Sequence, residues 1–181
     1  CKDHKNIKSF ETDSNNCLTL DQTTKDKFNK LKSICKKLSI IKFEKAKCHE
    51  SKDSELKLQY KILKCLQHIN LKSFNDDKNN CLTLDKKTID KHKILKCLNY
   101  NNIFSFENDN NNCINLNKAT INKYNSLKSN CNLLNKKKFE ENKCNKSKDI
   151  GLIKKYKILN CLEHKDISSF ENDNNNCIKL D

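Results

Sequence analysis

Residues 106–113 and residues 170–177 share one sequence, F-E-N-D-N-N-N-C, in which an aromatic residue is followed by acid and amide side chains and then a cysteine. Near copies end at Cys17 (F-E-T-D-S-N-N-C) and at Cys81 (F-N-D-D-K-N-N-C). The stretch therefore occurs four times, always closing on a cysteine. A segment that recurs at fixed spacing indicates a chain built from repeated structural units.

The cysteines repeat with a period of 96 residues. Those at 97, 113, 131, 144, 161 and 177 each lie 96 residues beyond those at 1, 17, 35, 48, 65 and 81. This pattern indicates a tandem duplication, with a first unit of residues 1–96 and a second unit of residues 97–181 that we expect to be truncated. The same cysteines divide the units into modules 1–34, 35–64 and 65–96, and then 97–130, 131–160 and 161–181.

Every module has the same plan: a cysteine, a phenylalanine, a second cysteine and a stretch of helical periodicity. The phenylalanines are Phe10, Phe43, Phe74, Phe106, Phe139 and Phe170. In the stretch that follows Cys17, apolar positions step by three or four residues, which predicts an amphipathic helix; they are Phe28, Leu31, Cys35 and Leu38. In the less regular stretch after Asp85, we expect His92 to take the place of an aromatic residue.

Polar residues before the helical stretches are expected to cap them. They are Asp21, Asp85 and Asn117, with Ser51 and Ser147 in the middle modules. No run alternates in the way a β-strand requires. The predicted fold is all-α, a disulfide-stapled helical-hairpin tandem repeat that stacks like an α-solenoid, because small units with one buried aromatic each cannot form a core alone.

The cysteine spacing favours disulfides over the other uses of a thiol. The closest cysteines are thirteen residues apart, whereas a zinc site wants pairs such as C-x-x-C, and a catalytic thiol usually stands alone or in such a pair. The residues from Cys113 to Cys131 are mostly helix, about 27 Å long at ~1.5 Å per residue, too far for a bridge.

We therefore expect each disulfide to close a loop within one module, with bridges between modules as the alternative. The expected pairs are Cys1–Cys17, Cys35–Cys48, Cys65–Cys81, Cys97–Cys113, Cys131–Cys144 and Cys161–Cys177. Each loop would contribute roughly 3 kcal/mol in the chain-entropy model. Twelve paired cysteines indicate an oxidising compartment, so we expect a secreted, extracellular protein.

The charge of the chain is strongly positive but dispersed. The formal net charge is +14 and all 37 basic residues are lysine, interspersed with acidic residues in a way typical of a solvated surface. The alternative is attraction to an anionic polysaccharide. Nucleic-acid recognition is disfavoured because arginine, the best base-reading residue, is absent. No apolar run is long enough to span a membrane.

The repeated Asp/Asn segment is more consistent with a turn than with a calcium loop. The calcium candidates are Asp13, Asp77, Asp109 and Asp173, but the glycine and the closing glutamate of a calcium loop are missing. Asp and Asn side chains form turns by bonding nearby backbone N–H groups, and Asn tolerates the left-handed conformation. The histidines at positions 4, 68 and 164, with Tyr100 in the fourth copy, are expected to pack or cap.

One standard glycosylation sequon begins at Asn145. We find no motif for catalysis, so we predict no catalytic residue, no cofactor and no enzyme activity. The even distribution of unusual features favours a secreted structural protein that self-associates into a fibre, coat, silk or scaffold. The alternative is a secreted lysine-rich module that binds acidic glycans or another protein, and a cytosolic helical adaptor is a third hypothesis.

Overall fold

The computed structural model describes Cys1 and residues 3–180, where every regular element is helical and no β-strand is present. Long and short helices alternate. The long helices are α2 (Gln22–Lys36), α4 (Ser54–Leu66), α6 (Lys86–Leu98), α8 (Lys118–Asn132) and α10 (Ile150–Cys161). The short helices are α1 (Ile7–Glu11), α3 (Ile40–Lys45), α5 (Leu71–Asn75), α7 (Ile103–Glu107), α9 (Lys136–Glu141) and α11 (Ile167–Glu171). The prediction of an all-α fold is confirmed.

Each short helix lies inside a loop that one disulfide closes. The bonded cysteines are 13 or 16 residues apart in sequence, and their Cα atoms are 5.3–5.9 Å apart. The pairs are Cys1–Cys17, Cys35–Cys48, Cys65–Cys81, Cys97–Cys113, Cys131–Cys144 and Cys161–Cys177. The first cysteine of five of these pairs lies near the end of a long helix. Each of these disulfides therefore fixes the reversal of chain direction that follows a long helix, as the loop geometry favoured.

Short 3₁₀ turns begin at the second cysteine of most modules. They are Cys48–Glu50, Cys81–Thr83, Cys113–Asn115, Cys144–Lys146 and Cys177–Lys179. Each turn redirects the chain from the disulfide towards the next element.

The expected caps of α2, α6 and α8 are confirmed. Backbone N–H groups donate to the side chains of the capping residues at 2.8–3.0 Å, in the pairs Thr24 to Asp21, Thr88 to Asp85 and Thr120 to Asn117. The threonine hydroxyls face the backbone N–H groups of the same capping residues, at 3.1–3.3 Å. These reciprocal bonds satisfy donors that a helix start otherwise leaves free.

The expected caps of α4 and α10 were wrong. Asp53 caps α4 and Asp149 caps α10, two residues beyond the predicted Ser51 and Ser147. The serine hydroxyls instead accept hydrogen bonds from the N–H groups of these aspartates, both at 3.1 Å. The aspartate carboxylate lies closer to the first helical N–H groups, so it displaces the serine from that role.

The core is built on ring pairs between consecutive helices. In five modules the phenylalanine of the short helix is at most 1% exposed and contacts a ring on the next long helix, with centroids 5.7–6.0 Å apart. The pairs are Phe10–Phe28, Phe43–Tyr60, Phe74–His92, Phe106–Tyr124 and Phe139–Tyr156. The expectation that His92 takes an aromatic position is thereby confirmed.

The chain divides into two compact units, Cys1–His92 and Lys93–Asp181. In the first, α2 packs on α4 over a core that includes Ile7, Phe43 and Leu56. In the second, α8 packs on α10 over an equivalent core that includes Ile103, Phe139 and Leu152. Each unit thus forms a core of its own from repeated disulfide-linked modules, while solenoid-like stacking stays a prediction.

The long helices are amphipathic rather than apolar throughout. α2 and α8 have 15 residues each, and their inward stripes carry the buried Cys35 and Cys131. None of the helices in Cys1 and residues 3–180 has the length and apolar character to cross a bilayer.

Candidate functional site

The four aspartates proposed as calcium candidates occupy one repeated turn. In each case Oδ1 accepts a hydrogen bond from the backbone N–H two residues later, at 2.6–2.8 Å. The carbonyl oxygen of the same aspartate accepts from the N–H three residues later, at 3.0–3.2 Å. The aspartates are Asp13, Asp77, Asp109 and Asp173. We call this arrangement the aspartate turn.

The residue before the second cysteine has a left-handed backbone in all six modules, with φ between 50° and 59°. The residues are Asn16, Lys47, Asn80, Asn112, Lys143 and Asn176. Asparagine adopts this conformation more readily than other non-glycine residues, so its use at four positions follows from its chemistry. The lysines of the middle modules carry no such preference, and only their alignment before a cysteine could have revealed them.

The second oxygen of each aspartate turn faces a ring from the start of the same module. The Nε2 atoms of His4, His68 and His164 lie 2.7, 2.8 and 3.0 Å from the Oδ2 atoms of their aspartates. Each histidine ring also lies edge-on to the phenylalanine of its module, with centroids 5.8–6.2 Å apart. The histidines therefore both pack against the core and orient the turn.

Hydrogen bonding keeps these carboxyl groups ionised. The N–H of Asn15 and the ring of His4 hold the pKa of Asp13 below its ordinary value. Burial raises the pKa of Asp77, but hydrogen bonds from Asn79 and His68 outweigh it, so the net shift is downward. At each site the anionic carboxylate is thus the form that fits the turn.

The third aspartate turn substitutes a tyrosine and a lysine for the histidine. The Tyr100 hydroxyl donates to Asp109 Oδ2 at 2.5 Å, and the Lys96 ammonium lies 2.8 Å from the same oxygen. The Asp109 side chain is only 2% exposed. Burial disfavours its ionised form, yet Lys96 and Tyr100 hold its pKa well below the ordinary value. A different donor set therefore preserves the same carboxylate geometry.

The donors present do not match the requirements of a calcium site. At each aspartate turn a carboxylate lies close to two cysteine sulfurs, with the potential ligand atoms within 4.8 Å of one another. The sulfurs belong to disulfides, so they are not thiolates. Calcium takes six to eight oxygen ligands, whereas each turn supplies one carboxylate whose two oxygens already accept hydrogen bonds. The arrangement is chemically suited to a turn.

A glutamate from each first module fastens the middle module of the same unit. Glu11 accepts from the Ser51 hydroxyl at 2.5 Å and from the Lys52 N–H at 2.7 Å. Glu107 accepts from Ser147 and Lys148 in the same way, both at 2.7 Å. We call this contact the glutamate clamp. Its partners are about forty residues apart in sequence, and no sequence motif indicates the contact.

In the second unit the glutamate clamp extends into a larger polar cluster. The Tyr124 hydroxyl donates to Glu107 at 3.1 Å, and the Lys128 ammonium donates to Asp149 at 2.6 Å. Burial, together with the nearby carboxylates Glu107 and Asp149, raises the pKa of Tyr124. Phe28 occupies the position of Tyr124 in the first unit, so the tyrosine contacts are not repeated there, whereas Lys32 donates to Asp53 at 2.7 Å as Lys128 does to Asp149. The cluster joins helices and its carboxylates already accept hydrogen bonds.

The sequon at Asn145 lies in the 3₁₀ turn Cys144–Lys146. The Asn145 side chain is half-buried, and the Ser147 hydroxyl is engaged by Glu107. Glycosylation at Asn145 stays a prediction.

No protein-family model matches this chain, and no curated protein or solved structure matches it.

Proposed function

We propose that this chain is a secreted structural protein whose disulfide-locked helical units associate with further copies into an extracellular fibre, coat or scaffold. The observation that carries this proposal is the repetition of one structural joint. All six modules have the disulfide and the left-handed residue before its second cysteine. An enzyme usually concentrates its unusual features at one place, whereas a building element repeats them.

The way in which the polar groups are used supports the same proposal. The aspartate turns accept backbone and ring hydrogen bonds, and the glutamate clamps hold neighbouring modules together. The carboxylates of the aspartate turns and of the glutamate clamps are thus engaged in internal contacts. Six disulfides support secretion, because such bonds persist in oxidising compartments.

Electron microscopy of the oxidised protein tests assembly directly. We expect micrographs to show regular filaments or sheets whose repeat corresponds to one or two 96-residue units. In sedimentation velocity, larger species should appear as the protein concentration rises. Protein that has been reduced and alkylated serves as the control and should not assemble. A chain that stays monomeric at every concentration, with all disulfides intact by mass spectrometry, would contradict the structural proposal.

A second candidate function is binding of an acidic glycan, favoured by exposed lysines that recur in the middle modules. Lys42 and Lys47 of the first unit correspond to Lys138 and Lys143 of the second, and all four are exposed. We expect salt-sensitive retention on an anionic polysaccharide column if this function is correct. The variant Lys47→Glu with Lys143→Glu should then elute at lower salt than the variant Lys25→Glu with Lys118→Glu, which carries the same change in charge on α2 and α8.

A further inference from the structure

The last short helix, α11, exposes an apolar face that is more deeply buried in the modules of the same type. Ile167 on α11 is 76% exposed, whereas its equivalents Ile7 and Ile103 are 1% and 0% exposed and Leu71, its counterpart at the 96-residue period, is half-buried. Ile178, in the adjoining 3₁₀ turn, is 64% exposed, compared with 39% and 46% for its counterparts Leu18 and Leu82. Phe170 is only half-buried. We call the surface formed by Ile167, Phe170 and Ile178 the α11 face.

In the three equivalent modules, the phenylalanine of this face is covered by a long helix that supplies a ring. Phe28 on α2 covers Phe10 at 5.8 Å, His92 on α6 covers Phe74 at 5.7 Å, and Tyr124 on α8 covers Phe106 at 6.0 Å. In all three modules, a ring from a long helix thus packs on the phenylalanine of the short helix.

The 96-residue repeat indicates which of these three helices the occupant of the α11 face should resemble. The module that begins at Cys161 corresponds, at the 96-residue period, to the one that begins at Cys65, and α6 follows that module. The resemblance extends to the ring edge: His164 lies 6.2 Å from Phe170, as His68 lies 5.8 Å from Phe74. The α11 face therefore presents the same pair of phenylalanine and histidine rings as the module on which α6 packs.

Charge complementarity points to the same occupant. Asp166 and Glu171 border the α11 face, together with one lysine, Lys165. The sequence of α6, KKTIDKHKILKCL, contains five lysines and one aspartate. A lysine-rich helix seated beside two carboxylates gains favourable electrostatic interaction at its rim, while its apolar side covers Phe170.

We propose that the α11 face is a docking surface for one amphipathic helix of the α6 type, supplied by a further repeat unit of the same kind. The inference deepens the proposed structural function by naming a contact between units, but it stands on local geometry. A helix can dock on this face without any filament forming. Docking and assembly are therefore separable by experiment.

A peptide in trans tests the docking. We would titrate a synthetic peptide of residues 82–98, with Cys97→Ser, into isotope-labelled, fully oxidised protein and follow amide chemical shifts. We expect saturable binding of one peptide per chain, with the largest shifts at Ile167, Phe170 and Ile178. The variant Ile167→Lys should weaken binding by at least about tenfold, because it places a charge in the apolar contact.

Two matched controls accompany the titration. Ile41 is 75% exposed, so Ile41→Lys makes the same change at a position of equal exposure on α3 and should leave binding unchanged. A peptide with Thr88→Lys and His92→Asp should not bind, since it alters the side of α6 that is buried on its own module. Equal binding by wild-type and Ile167→Lys proteins would overturn the proposal.

A fusion in cis covers the case in which the free peptide is too disordered to bind. Residues 86–98, with Cys97→Ser, would be appended directly after Asp181, where the repeat register places them. We expect the appended segment to become helical, to protect the amides of α11 from hydrogen exchange and to raise the melting temperature. An appended segment that stays unfolded, together with no binding in trans, would overturn the proposal.

In a third outcome, two copies of the chain associate through the α11 face, and the peptide does not inhibit this association. It would make a different surface of a second copy the occupant, and the proposal would be wrong. If the chain binds the peptide but never forms filaments, the docking surface is supported and the proposed structural function is contradicted.

Discussion

The Nε2 atom of His68 lies 2.8 Å from Oδ2 of Asp77, while Oδ1 of the same carboxylate accepts the backbone N–H of Asn79 at 2.7 Å. The Asp77 side chain thus connects the start of its module to the turn that closes the disulfide loop. The anionic carboxylate accepts both hydrogen bonds, so their strength depends on pH.

Replacement of Asp77 by asparagine should remove a pH-dependent part of the stability. The hydrogen bonds of Asp77 hold its pKa below 3.8 despite burial. A lowered folded pKa contributes stability that is present above the unfolded pKa and is lost as pH falls through the folded value. Asp77→Asn should therefore destabilise the chain by roughly 1 kcal/mol at neutral pH. The difference should shrink below about pH 4.

Urea unfolding at several pH values checks this prediction. The variant Asp76→Asn is the control, because Asp76 is an exposed neighbour outside the aspartate turn. A constant difference between Asp77→Asn and the wild type across the acid range would show that the carboxylate charge contributes nothing.

Glycine at position 47 should stabilise the chain. Lys47 has φ of 55°, a conformation that costs an L-residue about 1–2 kcal/mol and a glycine almost nothing. We expect Lys47→Gly to raise the free energy of unfolding by about 0.5–1 kcal/mol, after the greater flexibility of the unfolded glycine is taken into account.

Lys45→Gly is the matched control for this change, since Lys45 is an exposed residue at the end of α3. Glycine there should destabilise, by up to about 1 kcal/mol, because helices disfavour it. Denaturant unfolding of both variants should give changes of opposite sign. Destabilisation by both would show that the left-handed backbone at position 47 is not strained by lysine.

Removal of the glutamate clamp should loosen the contact between two modules. Ser51 is 2% exposed, so Glu11→Ala leaves its hydroxyl without an acceptor inside the protein. We expect a loss of about 1–3 kcal/mol in the free energy of unfolding. Because the double variant Glu11→Ala with Ser51→Ala removes both partners, it should recover part of that loss.

A double-mutant cycle of these variants measures the coupling between Glu11 and Ser51 by chemical denaturation. Strictly additive effects would mean that the hydrogen bond contributes nothing to stability. Hydrogen exchange at the Lys52 amide, which donates to Glu11, should quicken in Glu11→Ala.

Loss of one internal disulfide should cost more than any of these side-chain changes. Cys35→Ala with Cys48→Ala opens the loop around α3, and we expect a loss of about 3 kcal/mol. Full reduction should abolish cooperative unfolding, because the chain is only 35% hydrophobic and its small cores depend on the loops being closed. Circular dichroism with thermal denaturation checks both results, and a fully reduced chain that melts cooperatively would contradict the second.

Local features of the fold could be predicted, and contacts between modules could not. The spacing of cysteines and phenylalanines revealed the helical modules, since staple and aromatic lie within one short loop. Ser51 was misjudged because Asp53, two residues on, offers the same cap from a better position. The glutamate clamp was missed because nothing at Glu11 signals a partner forty residues away. Lys47 was missed because lysine has no preference for the left-handed backbone that it adopts.

The short reach of the disulfides has a mechanical consequence. Each bond spans only 13 or 16 residues, so about half of the chain lies inside closed loops that cannot lengthen while the bonds remain. An unfolded chain would extend by up to ~3.5 Å per residue under tension. Here the loop segments would be bypassed by the pulling force, which would pass through the sulfur bridges. A pulled chain would therefore yield only at its long helices, in increments of one module, and would recover its joints intact when the load is released.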